Sequence, residues 1–405
     1  MNKPSIITVF EHDSLKVRQQ GFSKQQLTAL QKFASSGTPF FTLIHNGIKF
    51  NQYVGVLRVG ELIIEILPKP DRKDPTDAPT WRSRLIGMIR AVRSFKVQAP
   101  TQSAQRISPT HLLELYFELF VIEVECLIRH GLVRKYQGRQ GNQTALRGRL
   151  LFDRHLRENL IHKERFYVQD TTYDQSHLIH SILHQTLQLL QRVNRNAALQ
   201  GRIQQLLFYF PEQTYRRITE QTFKNIRYNR KVEPYREALG IARLLLLNYH
   251  PSLYHGQEDI LALLFDMNTL WESFVLVSLK RELRKDCRVS GQVSKPFFQF
   301  PGHSIRSIRP DLVVRRGDQT LVLDTKWKNL GQRPSMADLR QLYVYGEFWD
   351  TSQTAIIFPG RAVPVRGDFK RLGYSNSCSL VPIAPVGEVG VWQQQIAQEV
   401  VRLFE

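Results

Sequence analysis

Residues 307–328 read SIRPDLVVRRGDQTLVLDTKWK, and this stretch decides the fold of the last part of the chain. Two apolar runs, 312–314 and 321–323, flank the pair Gly317-Asp318. Glycine accepts the positive φ that the first central position of a type II′ turn requires. The sequence therefore predicts two antiparallel strands joined by a two-residue hairpin turn.

The predicted turn also sets the register of the hairpin. It places Arg316 opposite Gln319, and continuing the same pairing places Asp311 opposite Asp324. Like charges directly opposite each other destabilise a strand pair, so two opposed aspartates are an unfavourable structural element. Strand periodicity puts Lys326 on the same face as Asp324.

Two opposed carboxylates beside a lysine suit a hard divalent cation, which prefers oxygen ligands. This arrangement predicts a metal-dependent phosphodiester nuclease. The alternative is a solvated hairpin face, because a single Asp-x-Lys spacing on a strand is common. The conjunction of Pro310-Asp311, an apolar run, a glycine turn, a second apolar run and Asp324-x-Lys326 is much rarer, and it favours the nuclease.

The chain has 405 residues and a formal net charge of +20 at pH 7, with a pI near 10.0. Its length allows two or three domains, each with its own core. The excess of positive charge indicates a polyanionic partner, either nucleic acid or an anionic membrane surface. The longest apolar helix predicted, at residues 112–128, contains four glutamates, which excludes it as a membrane span. Nucleic acid is therefore the predicted partner.

Three cysteines, Cys126, Cys287 and Cys378, are odd in number and too far apart for a disulfide framework or a zinc cluster. The first residues lack the apolar segment of a secretion signal. Together these observations predict a protein of the reducing cytoplasm.

Three domains with a mixture of α and β structure are predicted. Residues 1–80 are expected to form a small β-rich interaction domain, which ends in a linker at 68–79 that is rich in proline and aspartate. Residues 81–264 are expected to be a helical region with a basic loop. Residues 265–405 combine helices with strands that have acidic ends, which predicts a mixed α/β nuclease core.

The basic loop interleaves arginines, including Arg147 and Arg149, with glycines. Glycines let a backbone approach a phosphate closely, and arginines bind phosphate through two hydrogen bonds. A DNA-binding loop and a plain solvated loop are equally supported. In the same region His177, His180 and His184 share a helical face, but the leucines around them favour a core or surface role over a metal site.

Glu272 is a further candidate for the site. It falls in a predicted helix that begins after Asp266, its N-cap, and is apolar almost all round. A carboxylate within an apolar surface needs a partner. A metal site is one candidate partner, and a position at the rim of the helix is the alternative.

The central stretch resembles the core of PD-(D/E)xK nucleases, with Pro310-Asp311 and Asp324-Thr325-Lys326 filling the motif. The whole chain resembles the McrC family, the nuclease subunits of McrBC modification-dependent restriction systems. This resemblance follows the chain in order through YVGV at 53–56 with LIIEILPK at 62–69, RGRL at 147–150 with His155-Leu156, DMN at 266–268 with Glu272, and Arg309-Pro310-Asp311 with Asp324-Thr325-Lys326.

The resemblance implies Mg²⁺-dependent hydrolysis of DNA phosphodiesters, with Mn²⁺ able to replace Mg²⁺. Asp311, Asp324 and the backbone carbonyl of Thr325 are expected to hold the metal, and Lys326 to stabilise the charge that develops on the phosphate. Glu272 is expected to complete the site. The residues expected to contact DNA are Arg309, Lys328, Arg147, Arg149 and Tyr345.

Gln341 and Tyr345 lie one helical turn apart on a helix predicted to begin at Pro334 or Ser335. The pair is similar to the Gln-x-x-x-Tyr that follows the lysine in RecB-like nucleases. By this resemblance, Gln341 is a catalytic residue that holds the scissile strand or the lysine.

The resemblance also implies a partner. In the McrC family, a McrB subunit carries an AAA+ GTPase ring and recognises methylated cytosine, while McrC docks on the ring, stimulates GTP hydrolysis and cuts DNA. The chain contains no Gly-Lys pair and so no Walker A motif, which agrees with this division of labour. Two alternatives stay open: a non-catalytic DNA-binding scaffold that activates a partner NTPase, and a stand-alone RecB-like repair nuclease.

Overall fold

The computed structural model describes residues 5–35, 37–69, 77–92, 112–211, 213–250, 259–302, 304–330, 333–370, 376–385 and 387–405. These residues form two compact units. The first unit contains the described residues up to 92 and those from 264 onwards, and the second contains those between 112 and 263. Both units combine helices with strands, which confirms a mixed α/β protein. The three-domain division at residues 80 and 264 stays a prediction.

The described N-terminal part of the first unit combines strands with two helices. Its elements are β1 (Ser5–Phe10), β2 (Ser14–Lys16), α1 (Lys24–Ser35), β3 (Phe41–Ile44), β4 (Gly47–Phe50), β5 (Tyr53–Val59), β6 (Leu62–Leu67) and α2 (Ala78–Val92). β6 pairs with β1 in parallel and with β5 in antiparallel fashion, and β4 lies between β2 and β3. The helix α1 was not predicted, although Leu27, Leu30 and Phe33 recur at helical spacing and are buried. The predicted linker lies partly outside the described residues, at 70–76.

The second unit contains α3 (Leu112–Arg129), β7 (Lys135–Gln143), β8 (Arg149–Leu150), α4 (Phe152–Glu158), β9 (Phe166–Asp174), α5 (Leu178–Val193), α6 (Ala197–Tyr209), α7 (Glu220–Lys224), α8 (Arg236–Leu247) and β10 (Tyr249–His250). β11 (Ile260–Asp266) begins in this unit and ends in the first. Within the described ranges, no helix, α3 included, is both long and apolar enough to cross a membrane.

The prediction of a basic loop in this unit is wrong for most of its length. β7 pairs with β9 from Lys135 to Gln143, and Arg149 lies in β8, which also pairs with β9. The sequence of β7, KYQGRQGNQ, does not alternate apolar and polar residues, so it carries no periodic signal of a strand. The strand is held by backbone pairing with β9 rather than by a buried face.

The core interpretation of the histidines is confirmed for His177 and His180, which are both buried. His180 Nδ1 lies 2.6 Å from the carbonyl oxygen of Gln175, which can only accept, so Nδ1 donates. Nε2 is then an acceptor, and it lies 3.1 Å from the hydroxyl of Tyr235. Burial, the largest cause, and the nearby His177 together lower the pKa of His180 to about 3, so this ring stays neutral.

The C-terminal part of the first unit is built on a six-stranded sheet. Its elements are α9 (Met267–Glu282), β12 (Arg288–Gly291), β13 (Lys295–Phe298), β14 (Arg306–Ile308), β15 (Leu312–Arg316), β16 (Gln319–Thr325), α10 (Met336–Trp349), β17 (Gln353–Pro359), β18 (Val365–Asp368), β19 (Ser377–Ile383) and α11 (Val389–Arg402). The strand order is β12-β15-β16-β17-β19-β18, and β16, β17 and β19 are parallel. β13 and β14 form a separate hairpin.

Helices cover both faces of this sheet. α10 packs on β16 and β17, where Val322 and Leu342 share one buried cluster. On the opposite face α9 packs against α11, and the ring of Trp271 lies 5.4 Å from those of both Trp327 and Trp392. Because β16 is buried on both sides, its second half reads as a nearly continuous apolar run that ends at the acidic residue of the motif.

Candidate active site

The hairpin of β15 and β16 has the predicted register. Arg316 pairs with Gln319, and Leu312 pairs with Leu323 at the other end. Gly317 has a φ of 56°, as the first central position of a type II′ turn requires. The two motif aspartates flank the last pair, one residue before Leu312 and one after Leu323.

Asp311 reaches across to the end of β16. Its Oδ2 accepts hydrogen bonds from the backbone N of Thr325, at 2.7 Å, and from the Thr325 hydroxyl, at 2.8 Å. Its backbone carbonyl accepts a hydrogen bond of 2.9 Å from the N of Gln292, just after β12. Asp311 is therefore held at the end of the sheet on both sides, its carboxylate by Thr325 and its backbone by Gln292.

Asp324 is the most deeply buried acid of the motif, with 3% of its surface exposed. Burial, the largest cause, and the negative charge of Asp311 together raise its pKa to about 6, against the opposing effect of Lys326. The Nζ of Lys326 lies 2.9 Å from Oδ2 of Asp324 and forms an ion pair with it. A carboxylate oxygen has two lone pairs, and one ammonium group engages only one of them. Asp324 thus presents an oxygen whose lone pairs are incompletely satisfied.

Lys326 is held by a second carboxylate that the sequence did not reveal. Its Nζ lies 3.3 Å from Oδ1 of Asp338, the third residue of α10. Burial alone would lower the pKa of Lys326, but the charges of Asp324 and Asp338 outweigh it and raise the pKa. Asp338 also forms a capping box with Ser335, and this is its only signal in the sequence.

Glu272 lies on α9 and is partly buried, as the rim alternative expected. Its Oε1 accepts a hydrogen bond from the side-chain amide of Gln292. Burial raises the pKa of Glu272, and the charge of Asp311 also raises it. Glu272 therefore lies close enough to Asp311 to interact with it electrostatically, while its hydrogen-bond partner is a glutamine that sequence reasoning missed. The predicted N-cap of α9 is confirmed, since the Asp266 side chain accepts a hydrogen bond from the N of Thr269.

Gln341 and Tyr345 are brought together on α10. The amide of Gln341 donates a hydrogen bond of 2.7 Å to the hydroxyl of Tyr345, which donates one of 3.0 Å to the carbonyl of Arg309. Tyr345 thereby anchors the residue that precedes Pro310-Asp311. With its hydroxyl used in this way, Tyr345 positions the backbone of the motif, and its predicted contact with DNA stays a prediction.

The predicted DNA-contacting cations fall in different places. Arg309 and Lys328 are exposed on either side of the paired motif residues in the first unit. Arg147 and Arg149 are exposed residues of the second unit, before and within β8.

The fit of these residues to a divalent cation can be judged from their donor atoms. The described residues include no group of three or more His, Cys, Asp or Glu side chains arranged to hold a metal. Mg²⁺, however, is usually bound through only one or two carboxylates, with water and substrate phosphate supplying the other oxygens. Asp311 and the incompletely satisfied Oδ2 of Asp324 meet that smaller requirement.

These features define an α/β protein whose central hairpin ends in two aspartates and a lysine, covered by helices on both faces. A family model described as McrBC 5-methylcytosine restriction system component matches residues 48–359. The chain belongs to this family, which confirms the family resemblance found in the sequence.

Two solved structures share the fold. A chain of the refined half-complex from the tetradecameric assembly of Thermococcus gammatolerans McrB AAA+ hexamers with bound McrC aligns with a TM-score of 0.69 and 21% identity, over 98% of this chain and 100% of the other. A chain of the cryo-EM structure of the Thermococcus gammatolerans McrBC complex aligns with a TM-score of 0.50 and 22% identity, over 69% and 88%. A search of curated proteins finds no match.

Proposed function

We propose that this chain is the DNA-cleaving subunit of a McrBC-like restriction system, an Mg²⁺-dependent endonuclease with a PD-(D/E)xK core. The observation that carries the proposal is the assembly of Asp311, Asp324 and Lys326 at one end of a buried hairpin, with Asp338 as a second anion for the lysine. A protein without a reaction to perform gains little from placing two aspartates so close together, because their repulsion costs stability.

Each residue has a role that follows from its contacts. Asp311 and Asp324 would hold Mg²⁺, with the carbonyl of Thr325 as a further oxygen. When bound, the ion would polarise a phosphoryl oxygen and lower the pKa of a water molecule. Lys326, kept protonated by two carboxylates, would donate to the phosphate as negative charge develops there. Tyr345 holds the backbone of Arg309 and so positions Asp311.

The partner in this proposal is an AAA+ GTPase of the McrB type, in a cytoplasmic complex. Membership of the McrBC family supports it, as does a fold shared with a structure described as McrB AAA+ hexamers with bound McrC. The chain contains no Walker A motif, which agrees with nucleotide hydrolysis by another subunit. Its charge of +20 is suited to DNA.

The test is a cleavage assay on plasmid DNA that contains methylated cytosine, with the partner GTPase, GTP and Mg²⁺. Asp324→Asn and Lys326→Ala should each slow cleavage by about 100-fold or more, since the first weakens the hold on Mg²⁺ and the second removes a cation from the reacting phosphate. The matched control is Asp318→Asn, an exposed aspartate in the turn of the same hairpin, which should cleave at the wild-type rate. Cleavage by Asp324→Asn at the wild-type rate would exclude this site as the catalytic centre.

A further inference from the structure

The hairpin of β13 and β14 exposes aromatic side chains beside the candidate active site. Phe298 is 47% exposed and Phe300 is 59% exposed, and their ring centroids lie 4.8 Å apart with the planes at 89°. Arg306 pairs with Phe298 across the hairpin. Exposed phenylalanines carry a cost in water, so two of them next to an arginine indicate a binding surface.

Two cavities flank this hairpin. The first, of about 560 Å³, is lined by Phe298, Phe300, Pro301, Ser304 and Arg306. The second, of about 680 Å³, is lined by residues that include Ser307, Arg309, Gln341 and Tyr345. β14 contributes to both, with Arg306 in the first and Ser307 in the second, so the two cavities lie at neighbouring residues of one strand. The second is also bordered by residues of the candidate active site. Both volumes lie in the range of pockets that hold small organic groups.

The charge of the residues that line the two cavities indicates which kind of ligand they suit. Three arginines, Arg306, Arg309 and Arg340, line the two cavities, and the described lining residues include no carboxylate. An apolar peptide would leave these guanidinium groups without partners. A nucleic acid suits both the exposed phenylalanine rings and the arginines, because its bases stack on aromatic rings and arginines neutralise its phosphates.

We propose that the Phe298–Phe300 surface and the adjoining cavities bind unpaired nucleotides of the DNA next to the cleaved phosphate. Inside an intact duplex both faces of a base are covered by its neighbours, so stacking on these rings requires a base that has left the helix. The surface therefore favours DNA that is single-stranded or frayed near the site. This inference rests on the proposed function for its choice of DNA as the substrate.

The test compares the affinities of the full-length chain for a fluorescent single-stranded oligonucleotide and for a blunt duplex of the same sequence, in buffer with EDTA. The double variant Phe298→Leu and Phe300→Leu keeps apolar side chains but removes the stacking rings. It should lose about fivefold or more in affinity for the single strand, with a smaller loss for the duplex. The control is Phe297→Leu, since Phe297 is equally exposed on the same strand but packs on Phe348 and lines neither cavity.

Three results would overturn the inference: wild-type protein that does not bind the single strand, a double variant with unchanged affinity, or equal losses for single strand and duplex. A double variant that keeps its affinity but changes its mass in light scattering would show that the surface joins copies of this chain instead. Because binding is measured without metal or partner, a failure of the cleavage assay would contradict the proposed function and leave this measurement interpretable.

Discussion

The indole Nε1 of Trp327 donates a hydrogen bond of 2.8 Å to Oε1 of Glu11, a carboxylate with 2% of its surface exposed. The same oxygen accepts a hydrogen bond of 2.6 Å from the backbone N of Lys69. Trp327 directly follows Lys326, and the ring of Trp81 packs against it from α2. Glu11 therefore ties the N-terminal strands to the residue next to the lysine of the candidate site.

Replacing Glu11 by alanine should destabilise the first unit. Two buried donors, the Trp327 indole and the Lys69 amide, would lose their acceptor, at a cost of about 1–3 kcal/mol each. Glu11→Gln is the matched control because it keeps an acceptor oxygen in the same place. Chemical unfolding at pH 5 measures both variants, and an unchanged midpoint for Glu11→Ala would show that these bonds do not stabilise the fold.

The same residue should make stability depend on pH. The pKa of Glu11 is raised from 4.5 to about 7, mainly by burial and to a smaller extent by the charge of Asp266, against the hydrogen bonds from Lys69 and Trp327. Between these values the folded state keeps a proton that the unfolded state has lost, so stability falls as pH rises and the loss is complete above pH 7.

Glu11→Gln cannot ionise and should not show this loss. Its stability relative to wild type should therefore increase by an amount on the order of 3 kcal/mol between pH 4.5 and pH 7.5. The Nε2 of His12 lies 3.9 Å from Glu11 Oε2, so His12→Gln is measured in parallel to separate the contribution of this neighbour. A constant difference between wild type and Glu11→Gln across this range would contradict the raised pKa.

Replacing both members of the buried ion pair Glu65–Arg82 should destabilise the protein less than replacing Arg82 alone. Arg82 Nε donates to both oxygens of Glu65, at 2.9 and 2.8 Å, and Glu65 is fully buried. Arg82→Met leaves an unpaired buried carboxylate and should cost about 3–5 kcal/mol. Adding Glu65→Gln should recover part of this loss. Arg402→Met, which breaks an exposed pair with Glu399, is the control and should cost about 1 kcal/mol or less.

Divalent metal should raise the unfolding temperature of the first unit. Mg²⁺ or Mn²⁺ that binds only the folded state stabilises it by mass action, by about 2.7 kcal/mol at a concentration 100 times Kd. Asp311→Asn removes one ligand charge and should abolish the rise, while Asp318→Asn should keep it. Thermal unfolding scans with and without Mn²⁺ measure this rise for the wild type and both variants. An equal rise in wild type and Asp311→Asn would mean that the metal binds elsewhere.

DNA binding should weaken steeply with salt. Each phosphate that the protein neutralises contributes about −0.9 to the slope of log K against log salt on duplex DNA. A slope of about −4 or steeper, measured by anisotropy in EDTA, would correspond to about five such contacts. This follows from the formal charge of +20. A slope near zero would leave that charge without a role in nucleic-acid binding.

Local signals were sufficient for the central hairpin. A glycine that adopts positive φ determines the turn, the turn determines the register, and the register places Asp311 and Asp324 at the same end. The N-cap Asp266 was likewise readable, because capping depends on residues within three positions. By contrast, α1 and β7 escaped prediction, the first although Leu27, Leu30 and Phe33 recur at helical spacing and the second because a polar strand leaves no periodic signal.

The sequence by itself thus determined the family, the acidic hairpin and its lysine, since each depends on short-range order along the chain. Only the tertiary structure showed what surrounds them: Asp338 beside Lys326, Gln292 on Glu272, Tyr345 on the carbonyl of Arg309, and Glu11 on Trp327. Glu11 and Trp327 are 316 positions apart. Such pairs form when separate helices and strands pack together, and hydrophobic periodicity records which face of an element is buried but not which side chain it meets.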